Sequence, residues 1–339
     1  MDQARRNVKR EQFVKTKNLG TNLEDIDAAV SILRLGGLVA IPTETVYGLA
    51  ADATNENAVL KIFEAKGRPA YNPLIIHVKS TRMAEEYTQW NDAAQTLAEK
   101  FWPGPLTIVL PSRINSKIAK TARASLPSIA VRMPNHPVAL NILDQLDRPL
   151  AAPSANMSGK ISSTSADHVF KNLNKKIDAI IDGGSSLVGV ESTIVTFQPQ
   201  PTILRVGAIT PKAISNEIGS KIHHYDKKGP IIAPGQLKSH YAPNAKLRLN
   251  AIDWKQGEKK LGFGNVNCDL NLSKDKSLTE AAQNLFNFLH LLDSFDPRTS
   301  SESLSFRSFS KKSIAFLACS TTSASTEPTC ASISLIVFN

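Results

Sequence analysis

The sequence has little cysteine. Cys268, Cys319 and Cys330 are the whole set, late in the chain and far apart, with no CxxC pair. That pattern fits a reducing compartment and argues against a zinc site. No run approaches the roughly 18 to 20 apolar residues a membrane span needs, so no membrane role is expected. The N-terminus, MDQARRNVKREQF, is basic but carries no apolar stretch, which argues against secretory export. Asp2, Glu11 and the lack of serine argue against a mitochondrial presequence as well. The expected location is the cytoplasm.

Nucleophilic machinery is also missing. The serine-rich turns lack the GxSxG context, and no serine- or cysteine-protease arrangement stands out. Walker A is absent: Ser158-Gly159-Lys160 comes near it, but Ser154 stands where glycine is required and Ile161 follows the lysine. The HHYD run at 223–226 reads as a solvated polar loop rather than a metal cluster.

What remains is an ordinary soluble composition, 42% apolar and 21% charged, over 339 residues, enough for two domains with a core each. The 40 Lys+Arg against 30 Asp+Glu give a net charge of +10. A basic protein favours nucleotides, pyrophosphate, RNA or acidic surfaces, and charge alone does not choose among them.

From about residue 21 to 206, short apolar strands alternate with amphipathic helices. Asn22 caps a helix with Leu23, Ile26, Val30 and Leu33 at helical spacing, ended by Gly36-Gly37. Asn55 caps a second helix through Val59, Ile62 and Phe63, and further helices fit near 92–101, 136–146 and 165–173. Segments 38–41, 74–78, 106–110, 129–133, 150–152, 179–182 and 193–197 read as strands. The alternation argues for a layered α/β domain. Thr210-Pro211 opens another helix. A Pro/Gly-rich stretch, 229–245, then reads as an ordered linker. Strands at 246–250 and 260–263, with a capping box at Ser277 and Glu280, give a second, smaller α/β unit. The domain boundaries expected are an N-terminal extension 1–20, a large α/β domain 21–210, a linker 211–245, a small domain 246–294 and a tail 295–339. The tail holds 12 serines and 5 threonines and loses the amphipathic pattern, as disorder or a change of reading frame would produce.

Polar groups gather in the loops beside the apolar strands, where α/β sheets place ligands. PTETVYG at 42–48 sets hydroxyls beside a carboxylate and an aromatic ring, a combination suited to a small polar ligand. Lys66-Gly67-Arg68 can converge on a phosphate chain. Arg132 ends a strand, AAPSANMSG at 151–159 lets backbone approach a ligand, GVEST at 189–193 opens a strand, and Arg205 closes the next. Three arginines and a lysine converging with hydroxyls suit phosphoryl or nucleotidyl chemistry, in which the protein positions groups and neutralises charge.

Taken in order, PTETVYGL, KGRPAYNPLIIH, AVRMP, APSANMSG, GVESTI and SHYAP resemble the YrdC-like family in its long two-domain form, over roughly residues 20 to 294. The resemblance implies an open twisted α/β sheet with a basic concave cavity. A linker would close over the cavity, with a small Rossmann-like α/β domain following. It also implies a nucleotidyltransferase that joins L-threonine, bicarbonate and ATP into threonylcarbamoyl-AMP, releasing pyrophosphate. The product would pass to a tRNA threonylcarbamoyl transferase complex; direct tRNA contact is a further expectation. Mg²⁺ would accompany ATP, with no tightly bound prosthetic group and no metal held by the protein itself.

Residue by residue, the family's Lys-x-Arg and Ser-x-Asn signatures fall on Lys66, Arg68, Ser154 and Asn156 as the catalytic set. Thr45, His77, Arg132, Ala152 and Ser192 would surround threonine. Arg68, Asn72, Ser128, Ser154, Ser162, Arg205 and Tyr241 would hold ATP. The sequence departs from the family pattern from Phe295 onward, where a strand and helix are expected. A non-catalytic RNA-binding module of the same fold is the alternative, since a basic concavity suffices for RNA. Carbamoyl transfer, as in hydrogenase maturation proteins, would need cysteine-rich segments that are missing. A nonfunctional relic is the remaining alternative.

Overall fold

The computed structural model describes residues 15–226, 229, 231–236, 241–245, 247–248, 258–294 and 304–307. The N-terminal stretch 1–14, Ser239 and His240 of the SHYAP motif, and the tail beyond 307 lie outside them.

Among the described residues eleven strands form one mixed sheet. They are β1 (Lys17–Leu19), β2 (Val39–Ile41), β3 (Gly48–Asp52), β4 (Ile75–His77), β5 (Leu106–Pro111), β6 (Ser128–Arg132), β7 (Leu150–Ala151), β8 (Ala179–Ile181), β9 (Thr193–Thr196), β10 (Thr202–Arg205) and β11 (His223–His224). Their spatial order is β1-β8-β2-β3-β7-β4-β6-β5-β9-β10-β11. The helices around it are α1 (Leu23–Arg34), α2 (Glu56–Lys66), α3 (Thr81–Tyr87), α4 (Asp92–Phe101), α5 (Pro137–Leu146), α6 (Ala166–Leu173) and α7 (Pro211–Ile218). The expected helix caps form: Asn22 accepts from the Asp25 amide and Asn55 from the Ala58 amide.

Strand alternation sorts the core into two faces. On one face Ala40, Leu49, Ala51, Ile76, Val131, Ile108 and Ile180 join a single cluster with Val59, Ile62, Leu97, Val169 and Ile214 from α2, α4, α6 and α7. On the other face Val39, Ile41, Ala50 and Ile181 pack under α1 and α5. Further along that second face, no helix among the described residues covers Ile75, Val109, Ala130, Ile194 and Leu204; Ala233 and Ile232 of the linker lie on them instead. The cavity occupies this gap.

Two boundaries differ from the sequence reading. The stretch expected to be linker from 211 begins with α7, and β11 then pairs with β10, so the large sheet is left only after His224. The histidines of the HHYD run therefore form an edge strand. Among the described residues the small domain is a four-stranded sheet in the order β12-β15-β13-β14, built from β12 (Leu247–Arg248), β13 (Lys259–Gly262), β14 (Leu270–Asn271) and β15 (Leu304–Arg307), with α8 (Leu278–Asp293). All its pairings are parallel. β15 corrects the expectation for the tail. Residues 304–307, beyond the supposed break at Phe295, form an inner strand between β12 and β13.

The two domains share a core. Val46 and Ile161 of the large domain are buried with Leu261, Phe263, Phe286, Leu289 and Leu292 of the small one. His168 of α6 stacks on His290 of α8 with ring centroids 3.9 Å apart, and His290 Nε2 lies 3.1 Å from the Ser162 carbonyl.

Candidate active site

The cavity on the uncovered face is lined by Thr43, Thr45, Val46, Arg68, Ile75, His77, Arg132, Ala152, Ser154, Glu191, Ser192, Arg205 and Pro234, among others. Its empty space, including the part open to solvent, is about 470 Å³. Alternation puts the lining in place: Ile75 and His77 share a face of β4, and Ala130 and Arg132 share the matching face of β6. His77 and Arg132 sit directly opposite in the parallel register.

At one end, each nitrogen of the Arg132 guanidinium makes one hydrogen bond to protein, which uses three of its five N–H donors. It donates from Nη2 to Glu44 Oε1 at 2.6 Å, from Nη1 to Thr45 Oγ1 at 2.9 Å, and from Nε to the Gly104 carbonyl at 3.2 Å. Thr43 and Thr45 hydroxyls lie 2.9 Å apart, and Thr43 also donates to the Val46 carbonyl. Burial, reinforced by the neighbouring Arg132 charge, pushes the His77 imidazole down to about 3, so it is neutral. Its Nδ1 is buried without a protein partner, as is Glu44 Oε2.

At the other end the ends of α2 and β10 deliver two arginines. Gly67 caps α2 in the left-handed conformation (φ 60°), with its amide bonded to Glu64 and that of Arg68 to Phe63. The turn leaves Lys66 inside and sends Arg68 to the cavity. Arg68 donates to the carbonyls of Asn72 and Pro73 at 3.0 and 2.7 Å. Burial lowers it to about 10, the Glu191 charge acting the opposite way, so it is protonated near neutrality. In β10 the register shifts between Ile203 and Arg205, an irregularity of the kind that re-aims a side chain. Arg205 donates to Glu191 Oε2 at 2.5 Å, to the Ser192 carbonyl at 3.0 Å and to Ser192 Oγ at 3.0 Å.

Eight of the residues expected from the sequence thus line one cavity: Thr45, Arg68, His77, Arg132, Ala152, Ser154, Ser192 and Arg205. Others stand behind the lining. Lys66 is wholly buried and donates to the carbonyls of Ser154, at 2.5 Å, and Asn156. Burial, and then the charge of Arg68, push its ammonium well below the usual range. Asn156 donates to the carbonyls of Met157 and Lys160 at 2.9 and 2.8 Å. Lys66 and Asn156 therefore brace the loop that presents Ser154. Asn72 is buried with both amide atoms unpartnered. Ser162 and Tyr241 both bond Glu191. Ser128 lies on the same sheet face as Arg132, but four residues and roughly 13 Å along the strand, outside the lining.

Sequence reasoning misplaced one group and missed two. The Tyr47 ring points away from the cavity into the opposite core, its hydroxyl donating to the Gly184 carbonyl at 2.6 Å. Glu44 and Glu191, quoted only as parts of motifs, each pair with a site arginine. The available signal was a carboxylate set between hydroxyl or small residues in a loop beside an apolar strand.

The fold and the sequence both match known proteins. The Sua5/YciO/YrdC family model, described as telomere recombination, matches residues 31–207. A second, the threonylcarbamoyl-AMP synthase C-terminal domain, matches 209–318 and so runs through β15. The threonylcarbamoyl-AMP synthase of Pyrococcus abyssi is 41% identical over 291 residues, 79% of this chain and 85% of that protein. The one from Bacillus subtilis is 44% identical over 240 residues, 69% of each chain. A crystal structure of P. abyssi Sua5 complexed with L-threonine matches with a TM-score of 0.74 at 37% identity, covering 86% of this chain and 92% of that one. With the first match alone spanning more than half of its length, the chain belongs to the Sua5/YciO/YrdC family, in the two-domain form represented by Sua5.

Proposed function

We propose that this protein joins L-threonine, bicarbonate and ATP into threonylcarbamoyl-AMP, with release of pyrophosphate, and is a nucleotidyltransferase. The observation that carries the reading is one cavity with two differently equipped ends. Arg132, Thr45, neutral His77 and Ser192 suit a zwitterionic amino acid with a hydroxyl, and Arg68, Ser154 and Arg205 suit a phosphate chain. Relatives that carry the synthase name, and one solved with L-threonine bound, support the same assignment.

The chemistry asks for positioning. The threonine ammonium first loses a proton to become the free amine, whose nitrogen then bonds to the carbon of CO2, or of bicarbonate with loss of water, and gives up a second proton to leave the carbamate. A carbamate oxygen then attacks the α-phosphorus of ATP, the bond to the β-phosphate oxygen breaks, and pyrophosphate leaves. Arg132 would take the threonine carboxylate, and His77 would exchange hydrogen bonds with the amine or hydroxyl. Arg68 and Arg205 would offset the charge that develops on the phosphates. No step requires a covalent link to the protein. Mg²⁺ would arrive with ATP as the MgATP substrate: Glu191, the carboxylate among the lining residues, is already engaged by Arg205, Ser162 and Tyr241. Asn72, Ser128, Ser162 and Tyr241 extend the nucleotide site beyond the cavity in this proposal.

Transfer of the product to a tRNA threonylcarbamoyl transferase complex, and a cytoplasmic location, belong to the same proposal. Among the described residues no helix is long and apolar enough to cross a membrane. The RNA-binding alternative is not favoured, because the polar groups converge inside a small cavity and not across an open basic face. Calorimetric titration with L-threonine tests the amino-acid end. The expected result is saturable binding that Arg132→Ala abolishes; binding unaffected by that change would overturn the assignment.

A further inference from the structure

Glu191 stands as an anion inside a cationic wall. It precedes β9, is 7% exposed and still contributes to the cavity lining. Three donors converge on its carboxylate, each from a different part of the chain. Oε1 accepts from Ser162 Oγ at 3.0 Å, and Oε2 accepts from Arg205 Nη1 at 2.5 Å and from the Tyr241 hydroxyl. Its charge also reaches Arg68 and Lys66. Ser162, Arg205 and Tyr241 are three of the groups assigned to ATP above. The remaining donors of Arg205 that face protein go to the Ser192 carbonyl and hydroxyl.

The linker is fastened at the same point. Gly235, at φ 89°, lies so close to Arg205 that a Cβ there would meet its Cδ at 2.7 Å. Tyr241 packs its ring against Phe286 of α8, with centroids 5.1 Å apart. The Ala242 amide donates to the Gly159 carbonyl at 2.8 Å. A single carboxylate thus connects the 159–162 loop, the end of β10, the linker and, through Tyr241, the small domain.

We propose that Glu191 is a positioning residue for the nucleotide end: it fixes Arg205, Ser162 and Tyr241 in one arrangement while its charge competes with the triphosphate for Arg205. The inference rests on the synthase reading for its kinetic part. An incoming phosphate oxygen is the same kind of partner for Arg205 as the carboxylate oxygen is, so the two anions oppose each other across one guanidinium. Negative charge at this place weakens ATP binding, and fixed geometry at this place speeds transfer. The two effects have opposite signs, which separates this role from a merely structural one.

The test compares wild type, Glu191→Gln and Glu191→Asp on the full chain, reading melting temperature, ATP and pyrophosphate binding by calorimetry, and adenylate formation. Glu191→Gln keeps an acceptor and removes the charge. Its ATP and pyrophosphate Kd are expected to fall by about fivefold, as for removal of one competing charge. Its kcat is expected to fall about tenfold, because an amide has one acceptor oxygen and no charge and cannot accept from Arg205, Ser162 and Tyr241 together. Glu191→Asp keeps the charge on a shorter arm, so its Kd stays near wild type while kcat falls. Unchanged or weaker binding in Glu191→Gln, or an unchanged kcat, overturns the proposal. Where wild type binds and uses ATP, such a result overturns the Glu191 role alone; a wild type inert to ATP overturns the synthase reading along with it.

Discussion

Arg132 and Glu44, 88 residues apart in sequence, form an ion pair at 2.6 Å with side chains only 4% and 6% exposed. The pair ties the 43–46 loop to the end of β6 and holds the Arg132 guanidinium over the cavity floor. Removing one partner leaves a buried charge uncompensated, so Glu44→Ala is expected to cost about 3–5 kcal/mol of stability. Glu44→Gln, which keeps an acceptor for Arg132, is expected to cost about 1–2 kcal/mol. Denaturant unfolding of the three proteins checks the order; equal stability of all three would refute the role given to the pair.

The two halves of the Lys-Gly-Arg signature should fail differently. Arg68→Ala removes a cation from the cavity wall and is expected to lower adenylate formation at least tenfold, or about 1.5–3 kcal/mol, with the fold intact. Lys66→Ala removes a buried donor from the Ser154 and Asn156 carbonyls, so it should lose both activity and about 1–3 kcal/mol of stability. Melting curves beside initial rates separate the cases. Unchanged turnover in both variants would remove the assignment.

Much of this site was legible in the sequence because its residues sit where short apolar strands break off. His77 and Arg132 terminate β4 and β6, Ser154 follows β7, and Gly67 is a recognisable helix stop between two cations. Glu44 and Glu191 were not legible as partners, because the positions that Arg132 and Arg205 occupy are settled by strand order and a shifted register that no local pattern records. Tyr47 differs: it stands just before β3 and shares the alternation of Leu49 and Ala51, which turns it to the opposite face, but its place in a polar motif masked that period. The β15 strand was hidden by serine, although Leu304 and Phe306 keep the period of a strand. The α3 helix, seven residues with only Met83 and Ala84 buried, carries too little apolar pattern to be seen.

Acid should weaken the fold through its buried histidines. Burial depresses His77 and His168 to about 3 from an ordinary value of 6.5, and lowers His290 as well. The unfolded chain binds protons at these sites before the folded one does. The stabilisation is therefore complete above about pH 6.5 and drains away as pH falls toward 3, by on the order of 2–4 kcal/mol for His77. His168 and His290 are stacked, so their protonation also places like charges across the domain contact. Melting temperature against pH is expected to drop below 6.5, less steeply in His168→Gln. A profile flat to pH 4 would contradict the burial argument.

The linker contact through Tyr241 should matter for ATP and not for threonine. Tyr241→Ala removes both the bond to Glu191 and the ring packed on Phe286, and is expected to raise the KM for ATP several-fold while L-threonine binding is retained. Burial, and then the nearby carboxylate, hold this phenol well above its usual value, so its contribution should not vary with pH between 6 and 9. A wild-type ATP dependence in the variant would refute the linker's part.

The central claim is tested most directly by incubating the full-length protein with MgATP, bicarbonate and radiolabelled L-threonine, following pyrophosphate and labelled adenylate together. The account predicts threonine-dependent pyrophosphate release in step with a labelled product that disappears when bicarbonate is withheld. Folded protein that binds L-threonine and ATP yet releases no pyrophosphate would contradict it.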